Sequence, residues 1–86
     1  MKVLFRKKFR REYKKLNLKL QRTVDEKIRL FIAGPKNKML NNHALIGKYQ
    51  GYRSINISGD LRAVYKEISE EEIIFITIGT HSQLYG

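Results

Sequence analysis

The chain has no cysteine and a single proline. Without thiols, a disulfide framework and a thiolate zinc site are both excluded, so a reducing cytoplasm is the expected compartment and no metal or other cofactor is expected. No apolar run is long enough to span a bilayer. Met1 to Phe9 is interrupted by Lys2, Arg6, Lys7 and Lys8, where a signal peptide needs an unbroken apolar stretch, so neither export nor membrane attachment is expected. Repeats and low-complexity segments are absent. Acidic residues are scarce, 8 against 18 lysines and arginines.

What remains is short and basic. Eighty-six residues support one small core, so residues 1–86 are read as a single domain. A hydrophobic share of 42% is ample for a folded chain. The formal charge of +10 attracts polyanions, nucleic acid foremost and an acidic protein segment second. That charge is uneven: residues 1–43 hold 14 of the 18 bases, whereas residues 44–86 hold four bases and five acids.

Lys2 to Phe5 reads as an opening strand. Phe5, Phe9, Tyr13 and Leu16 then recur at three- and four-residue steps, the stripe of an amphipathic helix. Asn17 fits the N-cap of a second helix with Leu20, Val24, Ile28 and Phe31 on its buried face, ended by Gly34 and Pro35. Core packing, rather than a membrane surface, is the expected use of both stripes. Lys36 to Gly51 is aperiodic and polar, and reads as a loop that delivers His43 and Leu45 toward a sheet. Tyr52 to Ile57 alternates as a strand, Ser58-Gly59-Asp60 is a turn, and Leu61 to Ile68 is the next strand. After Ser69-Glu70-Glu71, a last strand from Glu72 to Gly79 is apolar enough to lie inside the sheet. The expected fold is α+β, a helical hairpin packed on a mostly antiparallel four-stranded sheet in the order β-α-α-β-β-β.

The groups able to carry chemistry are His43, Asn56, Asp60, Arg62, His81 and Tyr85. Adjacent antiparallel strands place the start of one beside the end of the next, which brings Asp60 and His81 toward one another. Cleavage of an RNA phosphodiester without metal needs a base for the 2′-hydroxyl, an acid for the leaving 5′-oxygen and a cation for the phosphorane. Imidazole suits either proton role and guanidinium suits the phosphorane. Each residue also has a plain structural use. Asp60 fits a turn after Gly59, Arg62 can pair with Glu67 or Glu72 across strands, Tyr85 can pack a chain end, and Tyr49 and Tyr52 can be rim packing as readily as stacking platforms.

Several motifs together resemble a known family. His43-Ala44-Leu45-Ile46-Gly47, Gly51-Tyr52-Arg53, Asp60 with Val64-Tyr65-Lys66, and above all Gly79-Thr80-His81 running to Leu84-Tyr85-Gly86 are similar to the YafQ family of toxins within the RelE superfamily. The resemblance covers the whole chain. It implies the RelE fold and a ribosome-dependent mRNA endoribonuclease of a type II toxin–antitoxin system, neutralised by a cognate antitoxin. By this resemblance His43, Asp60 and His81 fall on acid/base positions and Tyr85 on a substrate-contacting aromatic. Two positions depart from it, Asn56 where the family has a histidine and Thr77 where it has an arginine. Arg62 offers compensation: its setting Asp60-Leu61-Arg62-Ala63-Val64-Tyr65 is similar to the wider superfamily pattern in which an arginine before Val-Tyr binds the scissile phosphate.

The resulting expectation assigns catalysis to His43, Asp60, Arg62, His81 and Tyr85, with Asp60 orienting or charging a histidine and the acid and base roles of the histidines left open. RNA binding is assigned to Lys7, Lys8, Lys14, Lys15, Arg53 and Asn56. The partners implied are mRNA on the ribosome, ribosomal RNA and an antitoxin with an acidic segment. Two alternatives stand beside this one. A ParE-like toxin shares the fold but inhibits DNA gyrase by binding, and an RNA-binding domain without catalysis would satisfy the charge alone.

Overall fold

The N-terminal strand β1 (Lys2–Phe5) does not pair with its neighbours in sequence but lies parallel to the last strand, Val3 opposite Ile73 and Phe5 opposite Phe75, in a computed structural model describing residues 1–86. Helix α1 (Lys7–Lys14) and helix α2 (Leu18–Ala33) follow. Asn17 caps α2 as its spacing predicts, its Oδ1 accepting from the Leu20 amide at 2.8 Å, and Gly34 ends the helix. Phe5 belongs to the strand rather than to the helix, yet it still joins the α1 stripe, its ring 5.3 Å from that of Phe9.

The remaining chain forms β2 (His43–Ala44), β3 (Arg53–Ser58), β4 (Leu61–Ser69), β5 (Glu72–Thr80) and a short helix α3 (His81–Tyr85), with single 3-10 turns at Lys38–Leu40 and Gly47–Tyr49. The sheet therefore has five strands, in the order β1-β5-β4-β3-β2, instead of the four expected. The added strand is two residues long and pairs antiparallel with β3, too short to show any alternation. All pairings except β1 with β5 are antiparallel. The apolar run of β5 is placed between β1 and β4, as its composition predicts.

Phe75, fully buried in β5, organises the core. Its ring centroid lies 5.8 Å from Phe5, 5.5 Å from Phe9, 5.5 Å from Phe31 and 5.6 Å from Tyr65, so both helices and the central strand meet on one side chain. Truncating such a ring costs roughly 3–5 kcal/mol.

Beyond Phe75 the β1 edge of β5 has no strand partner, because β1 ends at Phe5. Helix α1 closes that edge. The Glu12 carboxylate accepts from the Ile78 amide at 3.0 Å and from the Thr77 hydroxyl at 2.7 Å, taking the place of a neighbouring strand's carbonyl. A bulge at Ile76, which has no partner on β4, re-aims this end of the strand. No helix is long and apolar enough to cross a membrane.

Candidate active site

Strand registers put the chemistry on one face of the sheet. His43 lies opposite Ser54, Ser54 opposite Val64, and Asn56 opposite Arg62, and directly opposed residues share a face. A bulge at Ile57, immediately beyond Asn56, ends this row. Helix α3 folds back beside the face, started by a capping box in which Thr80 Oγ1 accepts from the Gln83 amide and Gln83 Oε1 from the Thr80 amide. The result is a cleft of about 430 Å³ between β2 and α3, lined by His43, Arg62, His81 and Tyr85 with Ser54 and Val64 on its floor.

His43 is held from behind. Its Nδ1 lies 2.8 Å from the Asn41 carbonyl, which only accepts, so Nδ1 carries the proton and Nε2 keeps its lone pair when the ring is neutral. The Asn41 backbone is left-handed at φ 46°, a conformation asparagine tolerates better than other non-glycine residues. Asn42 anchors the same loop: Nδ2 donates to the Pro35 carbonyl at 2.9 Å and to the Tyr65 hydroxyl at 2.8 Å, while Oδ1 accepts from Arg53 Nε at 2.9 Å. Arg53, expected on an RNA surface, is thus a pin for the His43 loop, and it is not among the residues lining the cleft.

Arg62 donates from Nη1 to the Asn56 Oδ1 at 2.7 Å. Asn56, expected to touch RNA, therefore spends its carbonyl on aiming the guanidinium. His81 sits at the first position of α3 with its ring 5.0 Å from that of Tyr85. Tyr85 meets Tyr49 edge-on at 5.5 Å, and Tyr49 meets Tyr52 at 6.2 Å, a row of aromatic rings leaving the cleft. Lys48 Nζ reaches the Leu84 carbonyl at 3.3 Å and tethers the end of α3.

Asp60 stands apart. It follows Gly59, whose φ of 52° makes the turn, and is absent from the cleft lining. The Leu61 to Thr80 pairing does bring its backbone beside His81, but the one ion pair of the structure is Lys2 with Glu72 at 3.6 Å, so the carboxylate does not reach the imidazole. Thr77 is buried and occupied by Glu12, and adds nothing to the cleft.

The basic residues divide by direction. Lys8 and Lys15 line a second, polar groove of about 370 Å³ together with Lys48 and Tyr49, on the other side of Leu84 from the cleft. Lys14 borders a different hollow of about 300 Å³ between the helices, among Phe5, Phe9, Tyr13 and Ile28. Lys7 lines neither. The four lysines expected to act together therefore do not line one groove. The interhelical hollow is apolar, and its polar feature is structural: Asp25 accepts from the Tyr13 hydroxyl at 2.8 Å. That hydrogen bond, aided by burial and by the carboxylate's charge, raises the Tyr13 pKa above its ordinary value.

Missed in the sequence was Ser54. It is 2% exposed, opposite His43, and its hydroxyl is the one buried side-chain polar atom of the chain with no hydrogen-bond partner.

Comparison with known proteins bears on the whole chain. The family described as the bacterial toxin of type II toxin–antitoxin system, YafQ, matches residues 1–86. The YafQ toxin of Haemophilus influenzae is 35% identical over 52 residues, 57% of this chain and 51% of that protein, so the chain spans about half the length of the curated relative it matches. Escherichia coli YafQ superimposes with a TM-score of 0.82 at 20% identity, covering 98% of this chain and 97% of that one. The same toxin in complex with DinJ gives 0.79 at 20% identity over 98% and 96%. A copper-bound mutant toxin from Helicobacter pylori gives 0.78 at 30% identity over 99% of each chain. The shared fold agrees with the match of the family over residues 1–86, and that match places this chain in the YafQ family of bacterial type II toxin–antitoxin toxins.

Proposed function

We propose that this chain is the toxin of a toxin–antitoxin pair, an endoribonuclease that cuts mRNA on the ribosome in the cytoplasm and is silenced by a cognate antitoxin. The observation that carries the reading is the one cleft lined by His43 from β2, Arg62 from β4 and His81 from α3.

In this mechanism His43 Nε2 takes the proton of the ribose 2′-hydroxyl, since Nδ1 is committed to Asn41. The 2′-oxygen attacks phosphorus, and Arg62, aimed by Asn56, stabilises the added negative charge. The bond to the 5′-oxygen breaks and His81 supplies the proton to the leaving group. The products are a 2′,3′-cyclic phosphate and a 5′-hydroxyl. Tyr85, beside His81, stacks on a substrate base. Asp60, whose backbone neighbours that of His81 through the Leu61–Thr80 pairing, adds negative charge at that end of the sheet and no hydrogen bond. Lys8, Lys15 and Lys48 attract the RNA backbone, which predicts steep salt dependence.

An antitoxin partner is supported by the complex of E. coli YafQ with DinJ, and by a +10 surface complementary to an acidic segment. The test is induced expression in a bacterium beside His81→Ala, with 5′ ends of cellular mRNA mapped within minutes. In-frame cleavage ends that vanish in the variant are expected. Growth arrest without cleavage, unchanged by the substitution and accompanied by DNA-damage signalling, would replace this reading with gyrase inhibition.

A further inference from the structure

The Ser54 hydroxyl is the exception in an otherwise satisfied interior. It lies on β3 at the floor of the cleft, 2% exposed, between His43 on one side and Val64 on the other, with no hydrogen-bond partner. Leaving a buried hydroxyl unpaired destabilises a protein, and such a group in a folded chain calls for an occupant or a task. An alanine here would fill nearly the same space without that cost.

The neighbours narrow the occupant. The two side chains nearest in the strand ladder do not satisfy it: Val64 is apolar, and the His43 ring makes its hydrogen bond through Nδ1 to the Asn41 carbonyl. What the floor faces is the volume between β2 and α3, bounded by two imidazoles and the Arg62 guanidinium. A ligand suited to that lining carries oxygens, accepts hydrogen bonds and is anionic.

We propose that Ser54 is a substrate-contacting residue whose hydroxyl donates to a non-bridging oxygen of the RNA phosphate held between His43 and His81, on the side away from Arg62. This rests on the ribonuclease reading above and deepens it. Guanidinium and hydroxyl would then hold different oxygens of one phosphate and fix its rotation relative to the two imidazoles, so that the attacking and leaving oxygens lie in line. The hydroxyl is covered in the free protein, so its missing bond is made only when RNA binding shifts the side chains that cover it.

The test uses Ser54→Ala in the purified full chain. Urea unfolding should show equal or higher stability than wild type, because the unpaired hydroxyl is gone. Binding of an oligoribonucleotide with one 2′-deoxy residue at the cleavage position, followed by fluorescence anisotropy, should weaken about tenfold, as for one lost hydrogen bond to a charged acceptor. Cleavage of phosphorothioate diastereomers should be stereoselective in wild type, and the selectivity should collapse in the variant. A variant that is less stable than wild type, or one that binds and cleaves unchanged, would overturn the assignment. The binding arm separates the two readings: if wild type cleaves no RNA but loses affinity with Ser54→Ala, the nuclease reading fails while the contact stands.

Discussion

Arg62 Nη1 donates to Asn56 Oδ1 at 2.7 Å across the β3–β4 ladder, so the asparagine acts on the arginine opposite it. The bond fixes a long side chain at the cleft edge and leaves the rest of its N–H fork free for a phosphate. Asn56→Ala should slow single-turnover RNA cleavage about tenfold, the worth of roughly one hydrogen bond to a charged group. Arg62→Lys should slow it about a hundredfold, because a point charge cannot reproduce the fork. The double variant should be no slower than Arg62→Lys alone, the non-additivity of residues that work as a pair. Additive losses would mean Asn56 has its own contact with RNA.

Glu12 is an acid in a basic helix, kept there by what it bonds. Glu12→Ala leaves the Ile78 amide and the Thr77 hydroxyl without partners at a half-covered sheet edge, and should cost about 1–3 kcal/mol for each group in urea unfolding. Glu12→Gln keeps the accepting oxygen and should cost markedly less. Equal losses from both would show that charge, not hydrogen bonding, holds the edge.

Tyr13 links the two helices through Asp25, and its pKa is raised chiefly by that hydrogen bond. A group whose folded pKa is raised contributes stability fully below its unfolded pKa and loses it as pH climbs through the folded one. Tyr13→Phe should therefore lower stability by about 1 kcal/mol at pH 7 and flatten the decline of wild type above about pH 10. Unfolding free energies measured from pH 7 upward, in both proteins, test the sign.

The regular elements could be read from the residues because their signals are periodic or chemical: the α2 stripe with Asn17 before it and Gly34 after it, and the alternation of β3. The parts that assemble the cleft carry weaker signals. Two residues at His43 and Ala44 cannot show a period, and the strand they form exists only because β3 is there to pair with. Helix α3 lies outside the expected order: Thr80 and Gln83 form its capping box in the structure, but five residues give no stripe to read. Ser54 looks like any outward residue of an alternating strand until β2 and α3 cover it. Charge counting found the basic half of the chain without direction, and so does not foresee that Arg53 bonds Asn42 or that Lys14 borders the interhelical hollow.

The pairing of β1 with β5 sets the timing of assembly. Residues 2–5 find their partners at 72–75, so the sheet stays open along one side until residues 72–75 have been made. The cleft draws on His43 at one end and Tyr85 at the other, and no shorter nascent chain contains it. Long-range closure of this kind is slow compared with helix formation. A chain that has not yet reached Tyr85 therefore cannot present the finished cleft, however well its helices have already formed.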